Sequence, residues 1–127
     1  MVPIGFLFAI VSRVQDTDRF LHWRLQLRRV MVRYRVKPAD VAENERLVRE
    51  VYAELAERQP DGFHYGTFKL DDGVSFVHLA THEVEENPLA GVEAFAHFQE
   101  NLRERCDEPP VLVELAEVGS FRFHEGA

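Results

Sequence analysis

Residues 62–82, reading GFHYGTFKLDDGVSFVHLATH, constrain the fold more than any other stretch of the chain. Two runs rich in Phe, Tyr, Thr and Val flank an Asp-Asp-Gly turn, the short-range signature of a β-hairpin. A two-residue loop gives the same cross-strand parity whether it is Asp71-Asp72 or Asp72-Gly73. Phe63, Tyr65, Thr67 and Lys69 then share a face with Val74, Phe76, His78, Ala80 and His82. His64, Gly66, Phe68 and Leu70 fall on the other face with Ser75, Val77, Leu79 and Thr81. Neither face is polar throughout.

The segments around the hairpin complete a pattern. Val30 to Lys37 alternates Val30, Val32, Tyr34 and Val36 against Met31, Arg33 and Arg35, which predicts a strand ended by Pro38. Val41 to Arg58 places Val41, Leu47, Val48, Val51, Tyr52 and Leu55 at helical spacing, with charged residues opposite. Gln59-Pro60-Asp61-Gly62 stops that helix. A second helix is predicted from Leu89 to Cys106, its buried stripe being Val92, Phe95, Phe98, Leu102 and Cys106. Glu108-Pro109-Pro110 is expected to end it, and Val111 to Phe123 reads as a last strand. The order strand, helix, strand, strand, helix, strand is the ferredoxin-like βαββαβ unit. Its fold class is α+β, an antiparallel four-stranded sheet with both helices on one face. The second face of such a sheet would still carry apolar side chains, so a homodimer burying it is expected.

Length and charge bound the rest. A chain of 127 residues is one domain. The formal charge of −7 argues against nucleic-acid binding, which needs clustered Lys and Arg. A single cysteine, Cys106, rules out an internal disulfide framework and suits a reducing cytoplasm; on its helical stripe it reads as a small buried hydrophobe. Residues 1–30 differ in kind, with five Arg against two Asp, whereas residues 31–127 hold ten Lys+Arg against twenty Asp+Glu. The opening apolar run is about half the length a membrane-spanning helix needs, and no membrane role is expected. Residues 1–30 are read as an N-terminal extension and 31–127 as the domain. A core-covering appendage, a membrane-surface or targeting arm, and a stretch foreign to the fold compete for the extension. The last is favoured, with a start at Met31.

Several stretches together resemble the antibiotic biosynthesis monooxygenase (ABM) family of the dimeric α/β-barrel superfamily. They are MVRYRVKP, ENERLVREVYAEL, PDGFHYGTF, FVHLATHE and AGVEAFAHFQENL. The resemblance covers about residues 31–123. It implies a homodimer with a pocket for a flat aromatic or polyketide-like molecule, lying between the facing sheets or between sheet and helices. It also implies oxygenation with O₂ and no cofactor, neither metal nor flavin. Two departures bear on chemistry. Relatives often place His three residues after Phe on the second helix, where this chain has Phe95 and Phe98, with His97 one position off. The aromatic, often Trp, near the end of the third strand has no Trp counterpart; His82 lies in that region, and the one tryptophan is Trp23. Heme degradation is therefore not expected.

The first candidate for chemistry is His78, mid-strand beside Tyr65, Thr67 and Phe76, since neutral imidazole is a base near neutral pH. Tyr65 and Thr67 would donate hydrogen bonds to a substrate stacked on Phe76 near His82. Arg33 and Arg35 would join them if their side of the first strand faces the pocket. The competing reading is a satisfied structural histidine between aromatics. His64, His78, His82 and His97 have no metal-motif spacing, so no metal site is expected. Two functions follow: a cofactor-independent monooxygenase of a small aromatic, quinol or polyketide-like metabolite, or a non-catalytic small-ligand-binding or association module of the same fold.

Overall fold

The computed structural model describes residues 28–83 and 87–123. Strand β1 (Arg28–Val36) leads through a 3-10 turn (Pro38–Asp40) into helix α1 (Val41–Arg58). The hairpin is β2 (Phe63–Lys69) and β3 (Ser75–His82). Helices α2 (Glu93–Glu100) and α3 (Leu102–Arg105) precede β4 (Cys106–Glu114). All pairings are antiparallel, in the order β2-β3-β1-β4, which is the ferredoxin-like arrangement.

The hairpin parity follows the expected one. Tyr65 pairs with Ala80, Thr67 with His78 and Lys69 with Phe76. The loop is longer than two residues: Leu70 N donates to Ser75 O at 2.8 Å, and Gly73 N donates to Leu70 O at 3.0 Å. Gly73 takes φ +79°, a conformation glycine adopts without a Cβ clash. Asp72 ties the loop off, its Oδ1 accepting from the amides of Val74 and Ser75 at 2.9 Å each. The Ser75 hydroxyl donates to its Oδ2 at 2.6 Å. These donors hold the Asp72 carboxyl down at about 2.

The core lies on one face of the sheet. Val30, Val32, Tyr34 and Val36 from β1 and Phe76 and Ala80 from β3 pack with Leu47, Val51, Phe95, Phe98 and Leu102 of the helices. The helices are joined by more than packing: α2 has no side-chain cap of its own. Glu54 of α1 accepts from Ala94 N at 2.8 Å and Glu93 N at 3.2 Å, supplying the anion that a helix N-terminus favours.

Three expectations need correction. The second helix does not run from Leu89 to Cys106: Asn87 to Gly91 is turn, α2 starts at Glu93, and Asn101 separates it from α3. The Asn87 side chain accepts from Leu89 N at 3.0 Å, so a local turn outcompetes another helical turn there. Cys106 opens β4 instead of closing the helix, half-buried against the core, its thiol pushed up to about 11 by burial. Pro109 and Pro110 lie inside β4, which ends at Glu114 and does not reach Phe123. An edge strand tolerates proline where no ladder donor is needed, and the β1–β4 register shifts at this place.

The first strand also begins earlier than expected. Arg28, Arg29 and Val30 pair with His82, Thr81 and Ala80, so these three residues of the expected N-terminal block belong to the sheet. A chain starting at Met31 would lack this part of the strand. Residues 1–27, including Trp23, lie outside the described residues. Among the described residues, no helix is long and apolar enough to cross a membrane.

Candidate active site

The register of three strands gathers the site. Thr67 faces His78, His78 faces Val32, and Phe76 faces Tyr34 across the sheet, all on the helix-covered side. A cleft on this side is therefore one between sheet and helices, not one between facing sheets. His78 is 2% exposed. Its Nε2 lies 2.7 Å from the Tyr34 hydroxyl, and its Nδ1 lies 2.7 Å from the Tyr65 hydroxyl and 3.2 Å from Thr67 Oγ1. Phe98 closes the site from above, its ring centroid 5.5 Å from that of His78.

The network continues on both sides. Asn44 Nδ2, on the buried face of α1, donates to the Tyr34 hydroxyl at 3.0 Å. Arg105 Nε donates to Asn44 Oδ1 at 3.1 Å, and its Nη2 donates to Phe98 O at 2.9 Å. The guanidinium rests over the Phe98 ring, 5.4 Å from the centroid. At the other end, Thr67 Oγ1 meets the Tyr52 hydroxyl at 2.8 Å. Burial dominates the acid–base properties. It pushes the His78 imidazolium down to about 3 and Tyr52 up to about 12. Tyr65 and Tyr34 are driven upward for the same reason. At neutral pH His78 is therefore a neutral imidazole that does not readily hold a second proton, a poor match for a general base.

Two grooves flank Tyr52 where α1 stands over the edge strand β2. One, of about 470 Å³, is lined by Val48, Tyr52, Thr67 and Phe76, with Glu45, Arg49 and Lys69 at its polar side. Lys69 Nζ reaches Glu45 Oε2 at 2.6 Å, tying the helix to β2 beside this groove. The other, of about 310 Å³, is lined by Tyr52, Leu55, Phe63 and Tyr65 among others. The rings of Phe63, Tyr65 and Tyr52 stack in series at centroid distances of 5.4 and 5.3 Å. A larger depression of about 570 Å³ beside α2 is lined by Glu54, Glu93, His97, Glu100 and two alanines. It has no aromatic wall, so the Tyr52 grooves are the better site for a flat ligand.

The structure brings together His78, Tyr65, Thr67 and Phe76 of the residues singled out in the sequence. His78 stands behind Tyr65 and Thr67, so its influence on the grooves passes through their hydroxyls. His82 shares the face but is buried at the far end of β3, opposite Phe63. Arg33 and Arg35 are not part of this site. Both point to the helix-free face, Arg33 exposed opposite Val77 and Arg35 paired with Glu108 at 3.6 Å. Four further residues complete the network: Tyr34, Asn44, Tyr52 and Arg105. One of them left a signal in the sequence, since Asn44 is a polar residue on the apolar stripe of a helix. Among the described residues no group of three His, Cys, Asp or Glu is placed to hold a metal ion.

An α+β sandwich of one antiparallel sheet and one helical layer, with a cleft between them, defines the class. The solved structures narrow it to the fold of ABM-like proteins. A putative antibiotic biosynthesis monooxygenase from Nitrosomonas europaea aligns with a TM-score of 0.60 at 14% identity, over 73% of this chain and 91% of that one. Another so named, from Caulobacter crescentus, gives 0.60 at 20% identity over 73% and 91%. Rv0793 from Mycobacterium tuberculosis gives 0.56 at 19% over 74% and 97%. At these identities the likeness is one of fold. No family model matches the chain, and no curated protein matches it.

Proposed function

We propose that the protein is a cofactor-independent monooxygenase of a small aromatic, quinol or polyketide-like molecule that lies flat in the grooves beside Tyr52. The observation that carries this reading is the hydroxyl network of Tyr52, Thr67 and Tyr65, built on buried His78 and bordered by stacked aromatic rings. Oxygenation without a cofactor needs an electron-rich substrate anion; the substrate gives its proton to solvent before it binds, and hydrogen-bond donors then hold the anion out of bulk water. Phe63, Tyr65 and Phe76 supply apolar surface for the ring, and the hydroxyls supply the donors. The fold shared with structures named as antibiotic biosynthesis monooxygenases supports the same reaction class. His78 is assigned a positioning role, holding Tyr65 and Thr67, in place of the role of direct base.

We propose further that two copies associate through the helix-free face of the sheet. Phe68 and Val111 are 57% and 58% exposed there, beside Val113 and the half-buried Met31, Val77 and Leu79. A cytoplasmic setting fits the single cysteine.

Oxygen uptake by metal-free protein over a panel of substituted hydroquinones tests the enzymatic reading. Turnover of at least one member, lost in Tyr52→Phe, is the expected result. Saturable binding of the panel with no oxygen uptake would instead establish the non-catalytic ligand-binding function that the same grooves permit.

A further inference from the structure

The hydrogen-bond network contains one group whose polarity is not negotiable. A guanidinium has five N–H donors and no acceptor. Arg105 is 6% exposed and donates through Nε to Asn44 Oδ1, which fixes the amide: its Nδ2 must be the end that donates to Tyr34. A phenol has a single proton. With its oxygen receiving from Asn44, Tyr34 sends that proton to its other neighbour, His78 Nε2. An imidazole that accepts at Nε2 carries its one proton on Nδ1, which points at Tyr65 and Thr67.

Counting protons then leaves a surplus. Tyr65, Thr67 and Tyr52 hold three hydroxyl protons between them. Thr67 Oγ1 lies 2.8 Å from the Tyr52 hydroxyl, the one hydroxyl–hydroxyl hydrogen bond among the three. His78 Nδ1 takes none of the three, because it donates already. The Thr67 proton can go only to Tyr52, so the protons of Tyr65 and Tyr52 are left without an internal acceptor. Both tyrosines are half-buried; Tyr65 lines one groove and Tyr52 lines both, so each can pass to a ligand a proton that, unmatched, would cost free energy. We infer that Arg105, acting through Asn44, Tyr34 and His78, polarises the network so that Tyr52 presents its hydroxyl proton to the groove and selects aromatic ligands bearing an anionic or carbonyl oxygen. Arg105 and Asn44 are positioning residues in this scheme, and Tyr52 is the group that touches the ligand. The inference rests on the grooves being the ligand site and adds what ligand chemistry they prefer.

Asn44→Asp reverses the polarity with almost no change of shape. The carboxylate accepts from both Arg105 and Tyr34, Tyr34 then accepts from His78 Nε2–H, and Nδ1 becomes an acceptor. Tyr65 and Thr67 now donate to Nδ1 and Tyr52 donates to Thr67 Oγ1, so Tyr52 no longer donates outward. The test pairs two measurements. Nitrogen-15 NMR of the His78 ring, assigned by loss of the signal in His78→Gln, should find the proton on Nδ1 in the wild type and on Nε2 in Asn44→Asp. Titration with 4-nitrophenolate and with nitrobenzene should show the wild type preferring the anion by about tenfold or more, the scale of one charge-assisted hydrogen bond. That preference should vanish in Asn44→Asp and fall in Tyr52→Phe. A wild-type ring protonated on Nε2 overturns the proposal. So does an unchanged preference in Asn44→Asp or in Tyr52→Phe. If Asn44→Asp does not fold, the wild-type tautomer and Tyr52→Phe decide alone. Neither readout involves turnover, so absence of oxygen uptake would defeat the enzymatic reading and leave this one standing.

Discussion

His78→Leu is expected to lower the melting temperature by roughly 10–25 °C. The leucine fills most of the space, but Tyr34, Tyr65 and Thr67 lose a buried partner together. Each orphaned buried polar group costs about 1–3 kcal/mol. Thr67 retains Tyr52 and Tyr34 retains Asn44, so the total is nearer ~2–4 kcal/mol than three separate losses. For a domain of this size each kcal/mol moves the midpoint by about 4–8 °C. His78→Gln should recover more than half of the loss, since its amide offers an acceptor toward Tyr34 and a donor toward Tyr65. Thermal melts of the two variants check this. A leucine variant as stable as wild type would mean that the network contributes nothing to the fold.

Phe68→Asp is expected to raise the dimer dissociation constant by about 10²–10⁴. The side chain stands on the helix-free face, 57% exposed in the single chain, and specific interfaces bury about 1,200 Å² or more in total. An unpaired carboxylate buried there costs about 3–5 kcal/mol, which the affinity relation converts to that factor. Sedimentation equilibrium on wild type and variant measures it. A wild type that is monomeric at micromolar concentration would remove the dimer altogether.

The parts of the fold that could be read from the chain were those with long, regular periods. Val41 to Arg58 repeats its apolar positions for five turns, and the structure begins and ends the helix at those residues. The hairpin parity was equally legible, because period-two alternation fixes faces whatever even-numbered loop joins the strands. The second helix was not, because Leu89, Val92 and Cys106 keep helical spacing with Phe95 and Phe98 while serving other structures. Leu89 is buried within a turn, and Cys106 begins a strand. Pro109 and Pro110 misled for a related reason: whether a strand lies at an edge depends on its partners, not on its own sequence.

The site divides in the same way. Tyr65, Thr67 and His78 could be placed together from the hairpin alone, since all three belong to it. Arg33 and Arg35 required knowing which face the helices cover, and that is settled by packing. Tyr34 and Arg105 were out of reach because 61 residues separate Asn44 from Arg105 and 44 separate Tyr34 from His78. Such contacts exist only once β1, α1 and the short helix before β4 have met.

The proposed ligand site lies between α1 and the sheet. Backbone amide NMR of the wild type, titrated with 4-nitrophenolate, measures this most directly. Shifts concentrated at Val48, Tyr52, Tyr65, Thr67 and Phe76 are the predicted result. Shifts concentrated instead at Met31, Arg33, Val77 and Val111, on the opposite face of the same strands, would contradict it.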